Sequence, residues 1–372
     1  MLKPWELPGA SMPHHSFPLG EGCWRAPAAK SAACESRLLE FGVQNLAPLA
    51  DGSASYAIHA LKDLLPPLPE GDVHDPAYRA LWIASRLSAA RSAMDRTTSA
   101  PKFMAILNLT PDSFSDGGTF GGGTMGPLYH AQCLLAEQAD ILDLGAESTR
   151  PGAHEVSADE QLQRIMPVLE SLLPFQTPLS IDTRSADVAA RCLHAGASMI
   201  NDVSGLADPN MAPLLAENGC DTVLMHMRGT PATMQKHTQY QHLLGEVFDE
   251  LMILVQRALK AGMSANQIIL DPGIGFAKDA FQSQELIAKF ECFRALGFPL
   301  LAGPSRKSFM TDMLPGVPPH QRDGGTAGAA ALCAAQGAEY VRMHRGGKSV
   351  DAMKVAAACT TPKPAEVPCP SI

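Results

Sequence analysis

Eight times along this chain a short apolar run ends abruptly in polar residues, and that recurrence restricts the possible folds more than any other feature. The runs lie at 104–109, 141–145, 179–181, 199–200, 222–227, 268–270, 299–303 and 340–343. They open, respectively, into Thr110, Glu147, Asp182, Asn201, Arg228, Asp271, Pro304 and His344. Strands covered on both faces read as unbroken apolar runs and not as alternation, which points to parallel pairing beneath helices. Segments of helical length separate nearly all the runs, so the pattern predicts a closed (β/α)8, or TIM, barrel with its polar clusters on one face. An open doubly wound sheet is the alternative, and eight units favour closure.

The predicted helices cover 125–138, 158–173, 185–195, 210–218, 242–262, 282–296, 305–337 in two pieces, and 349–359. Ser157 stands three residues before Glu160 at capping-box spacing, and Gly196, Gly219, Gly262, Gly297 and Gly337 follow helix ends. The barrel accounts for residues 99–360. Ahead of it, 1–31 reads as a loose Pro- and Gly-bearing tail. Residues 32–98 read as a mainly helical extension, with patterns at 37–41, 56–65 and 78–94. The proline-bearing stretch 361–372 reads as a frayed tail.

Composition narrows the function classes. A net charge of −9 with no Lys/Arg-rich run argues against nucleic acid as a partner. No apolar stretch has the length of a membrane span, and the N-terminus lacks the form of a secretory signal. The nine cysteines contain no Cys-x-x-Cys pair, which predicts free thiols in a reducing cytoplasm and neither a disulfide framework nor a zinc site.

The strand-end residues form a set suited to binding. Asp182, Asn201 and Asp271 place two carboxylates and an amide at the barrel mouth, where they fit a flat, N–H-rich ring such as a 2-amino-4-oxopyrimidine. Ser305, Arg306, Lys307 and Ser308 lie where strand seven is expected to turn into a helix, an anion site by its N–H groups and cations. Arg342 and His344 are two apart on strand eight and face the same way, able to hold a phosphate or pyrophosphate. No carboxylate pair suggests a glycosidase. The loops at 110–123 and 147–154 are long enough to close over a ligand, although static surface loops would look the same. Asp116 is either part of such a lid or a residue capping its own turn.

Four stretches, Leu107-Asn108-Leu109-Thr110-Pro111-Asp112-Ser113-Phe114-Ser115-Asp116-Gly117-Gly118, Gly145-Ala146-Glu147-Ser148-Thr149-Arg150-Pro151-Gly152, Leu270-Asp271-Pro272-Gly273-Ile274-Gly275-Phe276 and Ser305-Arg306-Lys307-Ser308, stand in this order. Together with His226-Met227, Gly229-Thr230-Pro231 and Met234-Gln235, they resemble the dihydropteroate synthase family of pterin-binding TIM barrels over about 102–357. The resemblance implies a transferase of folate biosynthesis. It would condense 6-hydroxymethyl-7,8-dihydropterin pyrophosphate with p-aminobenzoate to 7,8-dihydropteroate and pyrophosphate. It further implies that Asp182, Asn201, Asp271 and Lys307 hold the pterin with Arg342 on or beside the ring. Asn108, Arg342 and His344 would grip pyrophosphate, Asn108 through Mg2+. Thr149, Arg150, Pro151, Phe276 and Ser308 would line the p-aminobenzoate side, which sulfonamides occupy as mimics. Asp116 would approach the pterin once pyrophosphate is bound, joining Lys307, Arg342 and His344 as the catalytic set. A cytoplasmic homodimer is expected. Pro304, Arg345 and the glycine-rich 324–328 depart from the family pattern. A pterin-dependent methyltransferase barrel and a catalytically silent pterin-binding paralogue are the rival readings.

Overall fold

The computed structural model describes residues 100–110, 124–148, 156–240 and 243–360, together with the backbone of 23–27, 43–48 and 53–58. The N-terminal pieces are β1 (Cys23–Pro27), β2 (Val43–Pro48) and β3 (Ser53–Ile58), an antiparallel sheet with β3 in the centre. This corrects two expectations. The segment taken as a loose tail contains a strand, and the helical pattern read from Tyr56 begins inside β3. The physical signal is local: Ser53, Ser55 and Ala57 alternate with Ala54, Tyr56 and Ile58, the period of a strand. Asp51-Gly52 between β2 and β3 is a hairpin dipeptide in the sequence. The patterns at 37–41 and 78–94, and the C-terminal 361–372, lie outside the described residues.

The barrel strands follow as β4 (Lys102–Asn108), β5 (Ile141–Gly145), β6 (Leu179–Asp182), β7 (Met199–Asp202), β8 (Asp221–Met225), β9 (Ile268–Asp271), β10 (Leu301–Ala302) and β11 (Tyr340–Met343). All neighbouring pairs are parallel, β11 returns to β4, and a parallel bridge between Leu270 and Leu300 joins β9 to β10 and closes the ring. The helices are α1 (Met125–Ala136), α2 (Ala158–Leu172), α3 (Ala186–His194), α4 (Met211–Asn218), α5 (Leu243–Lys260), α6 (Ala280–Ala288), α7 (Asp323–Ala335) and α8 (Lys348–Thr360). Caps set several boundaries. The Ser157 side chain accepts from the Glu160 N–H, Asp279 and Gln282 form a reciprocal capping box, and the five expected C-terminal glycines all have positive φ.

Two stretches break up more than the periodicity suggests. The predicted helix at 282–296 is α6 followed by a 3-10 segment at Phe290–Leu296. The first piece of 305–337 is only a 3-10 turn at Ser308–Met310, with another at Pro319–Gln321 before α7. The glycine-rich start of α7 has a packing reason: a Cβ on Gly325 would come within 3.0 Å of both Leu314 and the Met310 sulfur, so that turn of helix approaches 310–314 closely.

Strand alternation divides the barrel interior into two layers. Met104, Ile141, Met199, Val223, Ile269 and Leu301 form one buried apolar cluster, the floor of the barrel. Moving two residues along each strand keeps the same face and climbs one layer toward the C-terminal ends. From Ile141 that step reaches Asp143, from Ser180 Asp182, from Met199 Asn201, from Ile269 Asp271 and from Tyr340 Arg342. The other strand faces pack outward on the helices in the main core, which holds Phe103, Leu107, Leu144, Ile181, Leu224 and Val341. An apolar floor beneath a polar ceiling thus follows from strand phase alone.

Candidate active site

The polar layer is a connected network. Arg342, at the end of β11, donates from Nε to Asp143 Oδ2 and from a terminal nitrogen to Asp182 Oδ2, both at 2.6 Å. The same Asp143 oxygen accepts from the Asn201 amide at 3.2 Å. One guanidinium thus serves two carboxylates, and the second Asp143 oxygen has no hydrogen-bond partner among the described residues. Burial pushes the Asp182 carboxyl up to about 7; the Arg342 charge opposes that rise and the neighbouring Asp143 reinforces it. A ligand presenting N–H groups would relieve this excess of acceptors, as the expected heterocycle does.

Asp271 completes the ring of acceptors. One of its oxygens takes the Gly273 N–H at 2.7 Å. The other lies 3.8 Å from the point a Gly303 Cβ would occupy, and the Lys307 ammonium lies equally far from that point on its own side. Burial raises the Asp271 carboxyl against the attraction of Lys307, and burial lowers Lys307 to about 7 against the attraction of Asp271. Lys307 donates to the Ile274 carbonyl and stands 4.3 Å from the centroid of the buried Phe276 ring. The residues expected to hold the ring, Asp182, Asn201, Asp271 and Lys307, are therefore gathered in one mouth, with Phe276 along its wall.

At the anion side, Ser305 is buried, and its hydroxyl meets His344 Nδ1 at 2.9 Å while accepting the His344 backbone N–H at 3.2 Å. Asn108 ends β4, paired in register with Gly145. Here the structure corrects the expectation for Arg306. Its guanidinium forms a two-pronged pair with Asp323 at 2.7 and 2.9 Å, so its charge is already matched. The 3-10 turn starting at Ser308 is too short to supply the helix dipole that the sequence reading invoked. Arg345 is likewise turned away, paired with Glu137 just past α1, which disposes of that departure as a site change. Asp116, Thr149, Arg150 and Pro151 lie outside the described residues. The foot of their second loop is held by Glu147, which accepts from Arg184 at 2.7 Å and from the Val156 N–H at 3.2 Å.

Two groups escaped the sequence reading. Asp143 was visible as a carboxylate in the middle of an apolar strand, in phase with Ile141 and Gly145. The second group is a network behind the site. Buried Lys278 contacts His226 Nδ1 at 2.9 Å, and His226 Nε2 contacts Glu250 at 2.9 Å. Arg228 bonds the same Glu250 and stacks over Tyr240 at 4.0 Å. The Glu250 carboxylate only accepts, so His226 Nε2–H donates to it and the Nδ1 of the neutral ring accepts from Lys278. Burial, then the Lys278 charge, lowers His226 to about 4; burial alone would raise Glu250, but its hydrogen bonds to His226 and Arg228 hold it down at about 2.

This has an acid-stability consequence. An unfolded histidine titrates near 6.5 and this one at about 4, so between those values the unfolded chain binds more protons and stability falls as pH falls. The effect is on the order of 3 kcal/mol across the window. His226→Gln retains an acceptor for Lys278 and a donor for Glu250 but cannot titrate. Urea unfolding at a series of pH values should therefore show a shallower acid decline in the variant, and parallel curves would contradict the neutral-histidine assignment.

A parallel barrel whose C-terminal mouth combines a ring of acceptors with cationic and imidazole groups defines a protein that binds a flat polar heterocycle and an anion together. The sequence of residues 104–344 matches the model of the family described as pterin binding enzyme, and the chain belongs to that family. It is 44% identical over 243 residues to the dihydropteroate synthase of Synechocystis, spanning 65% of this chain and 84% of that protein. The Escherichia coli dihydropteroate synthase is 40% identical over 266 residues, 71% of this chain and 94% of its own length. Among solved structures, the Yersinia pestis dihydropteroate synthase with a sulfonamide drug complex superposes with a TM-score of 0.67 at 40% identity, covering 71% of this chain and 95% of that one. The Xanthomonas albilineans dihydropteroate synthase with 4-aminobenzoic acid gives 0.67 at 38% identity, covering 72% and 96%.

Proposed function

We propose that the chain is a dihydropteroate synthase, condensing 6-hydroxymethyl-7,8-dihydropterin pyrophosphate with p-aminobenzoate in folate biosynthesis. The observation that carries this reading is the polar layer itself, in which Asp182, Asn201 and Asp271 face one mouth with Arg342 and Lys307. Relatives that this chain spans nearly end to end carry the same name.

In this reading Asp271 accepts the paired ring donors, Asn201 and Asp182 take the remaining ring edge, and Arg342 lies beside the ring. Lys307 sits between ring and arylamine. Asn108, Arg342 and His344 hold the pyrophosphate, with the His344 ring oriented by Ser305. Among the described residues there is no cluster of three His, Cys, Asp or Glu side chains able to hold a metal. One amide at Asn108 fits Mg2+ in a limited way, since that ion keeps water and phosphate oxygens as most of its ligands. When bound it would neutralise charge on the departing pyrophosphate. The C–O bond to pyrophosphate breaks, the electron-rich ring supports the methylene cation, the arylamine nitrogen forms the new C–N bond, and its proton leaves to solvent. Positioning and electrostatic preorganisation supply the rate, and no covalent enzyme nucleophile is needed.

Thr149, Arg150, Pro151, Phe276 and Ser308 form the p-aminobenzoate side, and Asp116 brings a carboxylate toward the cationic ring. Asp116→Asn keeps the turn chemistry and removes the charge, so kcat should fall about tenfold or more, roughly 1.4 kcal/mol of barrier, with pterin affinity nearly unchanged. Turnover within about twofold of the parent would leave Asp116 as a turn residue. For the reaction as a whole, pyrophosphate release is followed with and without p-aminobenzoate. Release that depends on the arylamine supports the synthase; none in either arm supports the silent paralogue, and methyl transfer to or from a folate supports the methyltransferase. We also take the enzyme to be a cytoplasmic homodimer; six free cysteines among the described residues suit a reducing compartment.

A further inference from the structure

The turn that carries Phe276 is bent unusually: Gly273, Gly275 and Ala277 have φ of 72°, 80° and 51°, left-handed at every second residue. For buried Ala277 that conformation is strained, and such strain persists only where the surroundings over-determine it. Four side chains do so here. Asp271 takes the Gly273 N–H, and Lys307 donates to the Ile274 carbonyl. Lys278 Nζ donates to the Phe276 carbonyl at 2.9 Å and the Tyr240 hydroxyl to the Ala277 carbonyl at 3.1 Å. The first two belong to the ring site. Lys278 and Tyr240 do not, yet they grip the peptide groups on either side of Ala277.

Lys278 is itself fixed from behind. Lys278 is 2% exposed, and its ammonium meets His226 Nδ1, whose ring is tied to Glu250 on α5. A long side chain buried in this way, with its charge turned into the protein, is costly unless its donors are used.

We infer that Lys278 is a positioning residue for the arylamine. Through the Phe276 carbonyl it fixes where the Phe276 ring stands beneath Lys307, and so shapes the pocket that p-aminobenzoate enters. The inference rests on the synthase reading above and adds a residue that touches neither substrate. The Asp182–Asn201–Arg342 part of the ring site is held by other strands, so loss of Lys278 acts mainly on the arylamine.

The test is steady-state kinetics with both substrates varied, alongside calorimetry with a pterin. Lys278→Met keeps the length and removes the donor; KM for p-aminobenzoate should rise about tenfold or more while pterin affinity stays within about twofold. Tyr240→Phe removes only a hydroxyl from the next carbonyl and should raise the same KM by roughly threefold or more. A folded Lys278→Met enzyme with unchanged KM overturns the inference, as does a parallel loss for both substrates, which would mark a general structural role. Should Lys278→Met not fold, Tyr240→Phe decides, and an unchanged KM there overturns it. Failure of the synthase reading looks different, because the parent enzyme would then lack arylamine-dependent turnover altogether.

Discussion

Replacing Arg342 by methionine is expected to destabilise the barrel by about 3–5 kcal/mol and to remove turnover, because it leaves two buried carboxylates facing each other without their cation. Asp143 is completely buried and Asp182 nearly so, and Arg342 bridges them with two 2.6 Å hydrogen bonds. The loss should depend on pH in a defined direction. Asp182 in the parent already titrates at about 7 against 3.8 when unfolded. Across that window the native state binds more protons than the unfolded chain, so this group's contribution falls as pH rises. Without Arg342 the Asp182 carboxyl holds its proton more tightly, and the variant should be weaker at about pH 8 than at about pH 5, relative to the parent. Urea midpoints at the two pH values measure this. A variant as stable as the parent at both would show that the network is not held by the guanidinium.

Asp271→Asn is expected to weaken pterin binding by about 1–3 kcal/mol, roughly 5- to 150-fold, with the fold intact. The substituted amide can still accept the Gly273 N–H that Asp271 takes at 2.7 Å, so the turn keeps its first hydrogen bond. What changes is the outer edge. An amide presents one acceptor and one donor where the ring offers two donors, and its N–H would confront a ring N–H. The charge next to Lys307 also disappears, and burial would then depress that ammonium further below its present value of about 7. Calorimetry with a pterin gives the affinity directly, and binding equal to the parent's would remove Asp271 from the ring site.

Much of this site could be read in advance because its information is local. Asp182, Asn201 and Asp271 each close a short, mainly apolar run, and strand periodicity places them inside and one layer above Ser180, Met199 and Ile269. The misreadings share a cause. Arg306 reads as a free cation beside Lys307, and only the approach of Asp323, seventeen residues later, neutralises it. The stretch after β10 has helix-forming residues, but the close approach of Gly325 to 310–314 accompanies short 3-10 turns there. In the extension, the period-two signal of 53–58 is six residues long and gave way to a longer apparent helical pattern.

By itself, then, the sequence determined the number and order of the barrel strands, the parallel barrel, the mouth at which chemistry collects, and the family. Each of these follows from apolar runs, phase and contiguous motifs. Only the tertiary structure decided which charges meet. Arg342 joins Asp143 across 199 residues and Asp182 across 160, and Lys278 finds His226 across 52. Ring closure sets those distances, and a charge inside a barrel takes its protonation from the neighbours that closure brings within about 3 Å, which no local pattern of residues encodes.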